Sequence, residues 1–248
     1  MTRRRAVRQR VRQGLLLLSL LLFPLTMYYF SPYVIIDGAA QGIVSGSAVC
    51  FVLLFVSGLF VGRLWCGWGC PAGGLAEVCT TVNDRPARGG RWDWLKWAIW
   101  LPWLGAIVAA VLSAGGYRRL DILHLTESGV SIAQPEAYIM YYLVVGIFVG
   151  LALLFGRRAG CHYICWMAPF MILGRKLRNA FRWPALRLRA ERDRCTQCRQ
   201  CTAGCPMSLD VTALVQRASM EHSECILCGT CVDTCPRQVI RYTFRSGE

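Results

Sequence analysis

The sequence predicts an all-α bundle of four transmembrane helices over residues 15–169, followed by a small cysteine-rich α+β domain over 191–248. Three observations predict it. Four long apolar runs fill the first 156 residues, the basic residues concentrate in every second loop, and one cysteine pattern occurs twice in the last fifth of the chain.

The apolar runs are Leu15 to Ile36, Ile43 to Val61, Trp94 to Ala114 and Ala137 to Phe155. About 19 helical residues cover about 29 Å, close to the thickness of a bilayer's hydrocarbon core. The 248 residues are 55 % hydrophobic and only 17 % charged, yet carry a net charge of +14. Nucleic-acid binding is the common explanation of such a charge, but here the arginines flank membrane-length runs, so topology explains them and no nucleic-acid partner is expected.

The N-terminal segment holds Arg3, Arg4, Arg5, Arg8, Arg10 and Arg12, and the first loop holds no basic residue. The second loop holds Arg63, Arg85, Arg88, Arg91 and Lys96, the third only Arg118 and Arg119, and fifteen follow the last run. That places 26 on one side and two on the other, so both termini are expected in the cytoplasm of a multi-pass inner-membrane protein. Residues 1–14 then form a basic cytoplasmic tail. The first run is long and lacks a prompt small-x-small site, so an uncleaved signal anchor is expected. Residues 170–190 alternate apolar residues with Arg175, Lys176, Arg178, Arg182, Arg187 and Arg189. They predict a basic amphipathic linker on anionic lipid headgroups.

The last domain reads Cys195, Cys198, Cys201, Cys205-Pro206, then Cys225, Cys228, Cys231, Cys235-Pro236. C-x2-C-x2-C-x3-C-P is the bacterial ferredoxin pattern, in which the fourth cysteine serves the other cluster. Two [4Fe-4S] clusters are therefore expected, one on Cys195, Cys198, Cys201 and Cys235, the other on Cys225, Cys228, Cys231 and Cys205. Zinc sites favour paired C-x2-C knuckles, and disulfides favour an oxidising compartment. The full expectation is an all-α membrane bundle with a C-terminal cytoplasmic α+β two-cluster ferredoxin domain.

Two further pairs stand where the second and fourth runs end, Cys66 with Cys70-Pro71, and Cys161 with Cys165. Aligned on the cysteines, Phe60 matches Phe155 and Arg63 matches Arg158, so two helices and a C-x3-C element form a parallel repeat. Cysteines four apart share a helix face, about 5 to 6 Å between Cβ atoms. Converging pairs make a shared redox or metal site, suited to a further cluster, copper(I) or reactive thiols. Small-residue packing is the plainer alternative.

Together these features resemble the membrane-bound polyferredoxin family that includes the NapH quinol dehydrogenase subunit, with similarity to the membrane region of the NosR regulator and to the copper-reducing assembly factor CcoG. The resemblance spans about residues 15 to 240. It implies electron transfer between the quinone pool and a redox partner protein. One departure stands out: Pro71 follows Cys70 directly, whereas Pro169 comes four residues after Cys165. The lack of a long domain before the first run makes a stand-alone NapH-like subunit the nearest expectation. The second reading is a metal-reducing assembly factor.

Asp121, His124, Glu127 and Glu136 lie in the outer loop, which is either a solvated interfacial loop or a proton acceptor for quinol oxidation. His162 either supports the Cys161/Cys165 site or packs. His222 is expected at the surface, and Cys50 and Cys79 are expected to be inert packing residues.

Overall fold

The computed structural model describes residues 3–247. The side chains of Arg3, Arg4 and Arg5, counted above for topology, lie outside the described residues. The basic N-terminal segment belongs to a helix, α1 (Arg3–Leu21), followed by α2 (Phe23–Thr26), a 3-10 turn Met27–Phe30 and α3 (Pro32–Ala40). The continuous first span expected from Leu15 to Ile36 is thus broken. Pro24 lies in the first turn of α2 and Pro32 in that of α3, and a proline lacks the N–H that a continuing helix needs.

Strand β1 (Ile43–Ser45) leads into α4 (Gly46–Val61), α5 (Leu64–Trp68) and α6 (Pro71–Cys79). Helix α7 (Leu95–Ser113), strand β2 (Arg119–Asp121), α8 (Ala137–Phe155), α9 (Ala159–Tyr163) and α10 (Ala168–Ala180) follow. Among the described residues two helices are long and apolar enough to cross a membrane, Gly90–Ser113 and Ala137–Phe155. A third span exists if Val7–Leu21 and Phe23–Phe30 are joined across their 61° bend. Helix α4 is apolar but has 16 residues, about 24 Å, short of the full hydrocarbon thickness. Leu101, Leu112, Ile139, Leu143 and Leu154 face outward, as lipid-facing side chains do.

The helical part is a true repeat. α4-α5-α6 and α8-α9-α10 each run from a long helix through a glycine of positive φ (Gly62, +58°; Gly156, +97°) into a short helix and then a third. Helices α4 and α10 cross closely, because a Cβ on Gly174 would stand 2.5 Å from the Phe55 carbonyl oxygen.

The C-terminal unit consists of β3 (Ala185–Ala190), α11 (Gln200–Ala203), α12 (Val211–Gln216), α13 (Thr230–Thr234) and β4 (Ile240–Arg245). β3 and β4 pair antiparallel, from Ala185 opposite Arg245 to Ala190 opposite Ile240. The unit therefore begins inside the segment expected to be a lipid-lying linker. That segment is largely built into the protein: Arg175, Arg178 and Arg187 converge on Glu221 at 2.7, 3.6 and 2.9 Å. Their pairing with a carboxylate far along the chain turns a basic stripe inward. One hydrophobic core joins both parts, with Phe51, Leu54 and Met171 contiguous with Met207, Val211 and Ile226.

Candidate iron–sulfur sites

The two cysteine motifs fold alike. Residues two, four and thirteen places after each first cysteine have positive φ: Gln197, Arg199 and Ser208 in the first, Leu227, Gly229 and Gln238 in the second. Left-handed residues between right-handed ones curl the chain so that successive N–H groups face one concavity, a backbone nest for an anionic group. The third cysteine of each motif then rides a short helix, α11 or α13.

Two small cavities result. One is lined by Cys195, Cys198, Cys201 and Cys235, closed by Val215, Val239 and Ile240. The other is lined by Cys205, Cys225, Cys228 and Cys231, closed by Leu209, Leu214 and Ile226. Each thus takes three cysteines from one motif and the Cys-Pro cysteine from the other. Burial pushes the Cys225 thiol up to about 12 and the Cys205 thiol up to about 11, although backbone N–H groups of Leu227 and of Leu209 and Met207 oppose it. Four cysteines around each small cavity, over a backbone nest that suits an anionic group, form the donor set of an iron–sulfur cluster, so both cavities fit one. In the first set Cys198 is exposed, Cys195 half-buried and Cys201 and Cys235 buried; in the second Cys225 is half-buried and Cys205, Cys228 and Cys231 are buried, so Cys198 is the one fully exposed ligand position among the eight. The first cavity opens to the surface and the second faces the helical part.

The remaining motif cysteines also converge. Cys66, Cys70, Cys161 and Cys165 are all buried in the core, and Cys66 Sγ lies 3.9 Å from Met171 Sδ. Burial pushes the Cys165 thiol up to about 12, with Cys161 and Cys66 adding to it. The different proline positions do not spoil the symmetry. Cys70 accepts from the N–H of Gly73 and Cys165 from that of Ala168, each three residues on.

Sequence reasoning counted Arg63, Lys96 and Arg158 as loop charges, but they are fully buried around this set. Arg63 Nη1 and Lys96 Nζ both reach Glu224 Oε2, at 2.6 and 2.7 Å. Arg158 donates to the Cys66 carbonyl oxygen and to Glu77 Oε1, each at 2.7 Å, and Arg12 also pairs with Glu77. Burial would raise the Glu224 carboxyl, but Arg63 and Lys96 overcome it and hold it at about 2. Arg12, Arg63, Lys96 and Arg158 outnumber the carboxylates of Glu77, Glu224 and nearby Asp93 by one, and a net positive surrounding beside four thiols favours an anionic centre. The match of Arg63 to Arg158 across the repeat was the sequence signal for these residues.

The four-cysteine set abuts the second cavity. Trp68 Nε1 donates to the Leu227 carbonyl at 3.1 Å, and a Cβ on Gly67 would lie 2.4 Å from the Ile226 carbonyl oxygen. On its other side lies a cavity of about 720 Å³ between α2, α6 and α8. Pro71, Ala72, Trp166 and Met167, directly after the second cysteine of each pair, line its inner end, and Glu127, Gln134 and Glu136 line its outer end.

The other candidates separate. His124 pairs with Asp37 at 2.7 Å, and Asp121 caps its own turn at the Leu123 N–H, so the four outer-loop residues do not form one group. His162 spends both ring nitrogens, on Asp93 Oδ1 at 2.6 Å and on the Met207 carbonyl at 3.2 Å. His222 is half-buried rather than a surface residue, and its Nδ1 accepts from the Glu224 N–H. Cys50 and Cys79 line neither small cavity.

Residues 194–240 match the 4Fe-4S dicluster domain. The protein carries two [4Fe-4S] clusters. Residues 46–82 and 137–184, the two halves of the helical repeat, each match a 4Fe-4S binding domain. The chain is 25 % identical over 193 residues to an uncharacterized protein of Methanocaldococcus jannaschii, covering 77 % of this chain and 69 % of that one. It is 22 % identical over 225 residues to YccM of Escherichia coli, whose name refers to electron transport, covering 82 % and 57 %. It is 28 % identical over 232 residues to protein RdxA of Cereibacter sphaeroides, covering 79 % and 46 %. The chain therefore spans about half the length of the latter two. No solved structure matches it.

Proposed function

We propose that this is a multi-pass inner-membrane protein, with both termini cytoplasmic, that relays electrons between the quinone pool and a partner oxidoreductase. The observation that carries the proposal is an ordering of sites: the 720 Å³ cavity, the four-cysteine set, the second cavity and the exposed first cavity adjoin in that sequence. [4Fe-4S] centres supply one-electron couples. In this reading Cys205, Cys225, Cys228 and Cys231 hold the inner cluster, and Cys195, Cys198, Cys201 and Cys235 hold the outer one. Cys66, Cys70, Cys161 and Cys165 hold a third, a reading supported by the 4Fe-4S binding match on each half-repeat.

The large cavity suits a quinol head group, being mostly apolar with a few polar groups at one end. Oxidation of a quinol to a quinone yields two electrons and two protons. Trp166 and Ala72 hold the ring toward the thiols at the inner end, and the released protons travel along the cavity to Glu127 and Glu136 at its outer end. This agrees with a NapH-like role. The test is anaerobic purification and iron analysis: about twelve irons per chain are expected with three clusters, and about eight with two. Negligible iron would sink the reading. Ala72→Trp fills the inner end of the cavity; menadiol should then reduce the protein at least about tenfold more slowly, with dithionite unaffected.

A second reading, copper(I) handling at the four-cysteine set, draws on the Met171 thioether beside Cys66, a soft ligand pair. Serine at Cys66 and Cys161 should abolish copper(I) binding in that case. Unchanged binding removes it.

A further inference from the structure

We infer that the face of the C-terminal unit around Cys198 is the docking surface for an acidic soluble redox protein. The inference rests on the electron-relay reading and names the chemistry of its partner. Six exposed arginines surround the outer cavity: Arg189, Arg192, Arg194, Arg199, Arg237 and Arg241. Glu191 and Asp193 are the acidic residues between them, so six positive charges against two negative leave a surplus of four. Arg199 and Arg237 line the cavity mouth itself, beside exposed Cys198.

This charge is not spent on holding the fold. Arg8, Arg12, Arg63, Arg158, Arg175 and Arg187 each pair with a carboxylate inside the molecule. On the outer face Glu191 takes Arg194 at 2.8 Å and Arg241 at 3.1 Å. Among the described residues, Arg189, Arg192, Arg199 and Arg237 form no ion pair. Arg189 stands directly opposite Arg241 across β3 and β4, and like charges so placed oppose strand pairing. Arg199 adds a second cost. Its φ is +59°, and the equivalent place in the other motif is taken by Gly229 at +80°, the residue that adopts this conformation freely. A cation sits where the backbone would prefer glycine, at the rim of the exposed cavity.

The surface also points the right way. Bonds joining this unit to the helical part run through Cys205, Met207, Glu221, Glu224, Leu227 and Asp233, and through Ala203 on α11; among the described residues none of them reaches the six arginines. The arginine face is at the other end, away from the membrane part. A positive surface around a redox centre steers a negatively charged carrier into contact, with strong salt dependence.

The test uses the full-length protein in nanodiscs of neutral lipid, with an acidic flavodoxin as probe and basic cytochrome c as its opposite. Binding to flavodoxin should weaken on the order of tenfold between low and 0.5 M salt, and by at least as much in R199E/R237E. Cytochrome c should bind the double variant better. Arg199→Gly, which removes charge and relieves the backbone, should weaken flavodoxin binding with iron content unchanged. Equal flavodoxin binding by wild type and variants, or binding indifferent to salt, overturns the proposal. Arginine-dependent binding to phosphatidylglycerol vesicles without flavodoxin binding also overturns it and makes the face a lipid contact. Absence of iron from the wild-type protein defeats the relay reading instead, a result separable from any binding outcome.

Discussion

The chain contains two duplications, and they have held their symmetry to different degrees. In the C-terminal unit the two cysteine motifs coincide down to the residues of positive φ. In the helical part the two C-x3-C elements share helices, arginines and N–H donors, but the proline after the second cysteine has moved three places. The difference is mechanical. A ferredoxin loop aims its thiols by a short run of fixed backbone angles, so a single insertion re-aims them all. A cysteine before a helix is aimed by the helix start, and the N–H three residues on can be supplied with or without proline at N1.

Glu224 ties the two regions together, through Arg63 and Lys96. Glu224→Gln leaves Arg63 and Lys96 buried without their carboxylate, and should cost about 3–5 kcal/mol of stability, read as a large drop in Tm. The pH dependence follows from the same pair. The folded carboxyl is held at about 2, below its unfolded value of about 4.3, so its contribution is complete above the unfolded value. It is lost as pH falls through the folded value, and an acid titration of wild type against the variant should converge only near that pH.

A smaller effect is expected where the two ferredoxin motifs differ. Gly229→Ala introduces a Cβ at φ +80° that would meet the Tyr242 hydroxyl at 2.7 Å, and should cost about 1–2 kcal/mol by denaturant unfolding. Arg199→Gly at the matching place should be neutral or stabilising by a few tenths of a kcal/mol, because the backbone strain it relieves is largely offset by glycine's greater freedom in the unfolded chain. Equal losses at both places would show that the motifs are not equivalent. Smallest is Asp210→Ala. Asp210 caps α12 by accepting from the Ala213 N–H at 3.0 Å, a contribution of about 1 kcal/mol confined to the first motif's side.

Much of the C-terminal unit was legible because the information is local. Cysteines three apart followed by Cys-Pro prescribe a loop whatever surrounds it, and the domain match to 194–240 covers the same stretch. The helical part was legible as apolar runs and as a repeat, but not in its breaks. Hydropathy averages over Pro24 and Pro32, whereas the backbone cannot continue through them. The arginines were least legible. Counting charges by loop assumes that each faces water, yet Arg63 finds Glu224 across 161 positions and Arg158 finds Glu77 across 81.

The sequence by itself determined the two-cluster cofactor content, the duplicated helix and C-x3-C element, and the apolar character of the membrane part. Each depends on residue type at short spacing, where chain geometry leaves little choice. Only the tertiary structure decided that the four distant cysteines are buried in one core, that three presumed topological charges are buried around them, and that this core adjoins both a large apolar cavity and the inner ferredoxin cavity. Those facts depend on which helix faces pack together. Packing is set by the fit of surfaces such as Gly58 against Met171 and Gly67 against Ile226, which no local spacing encodes.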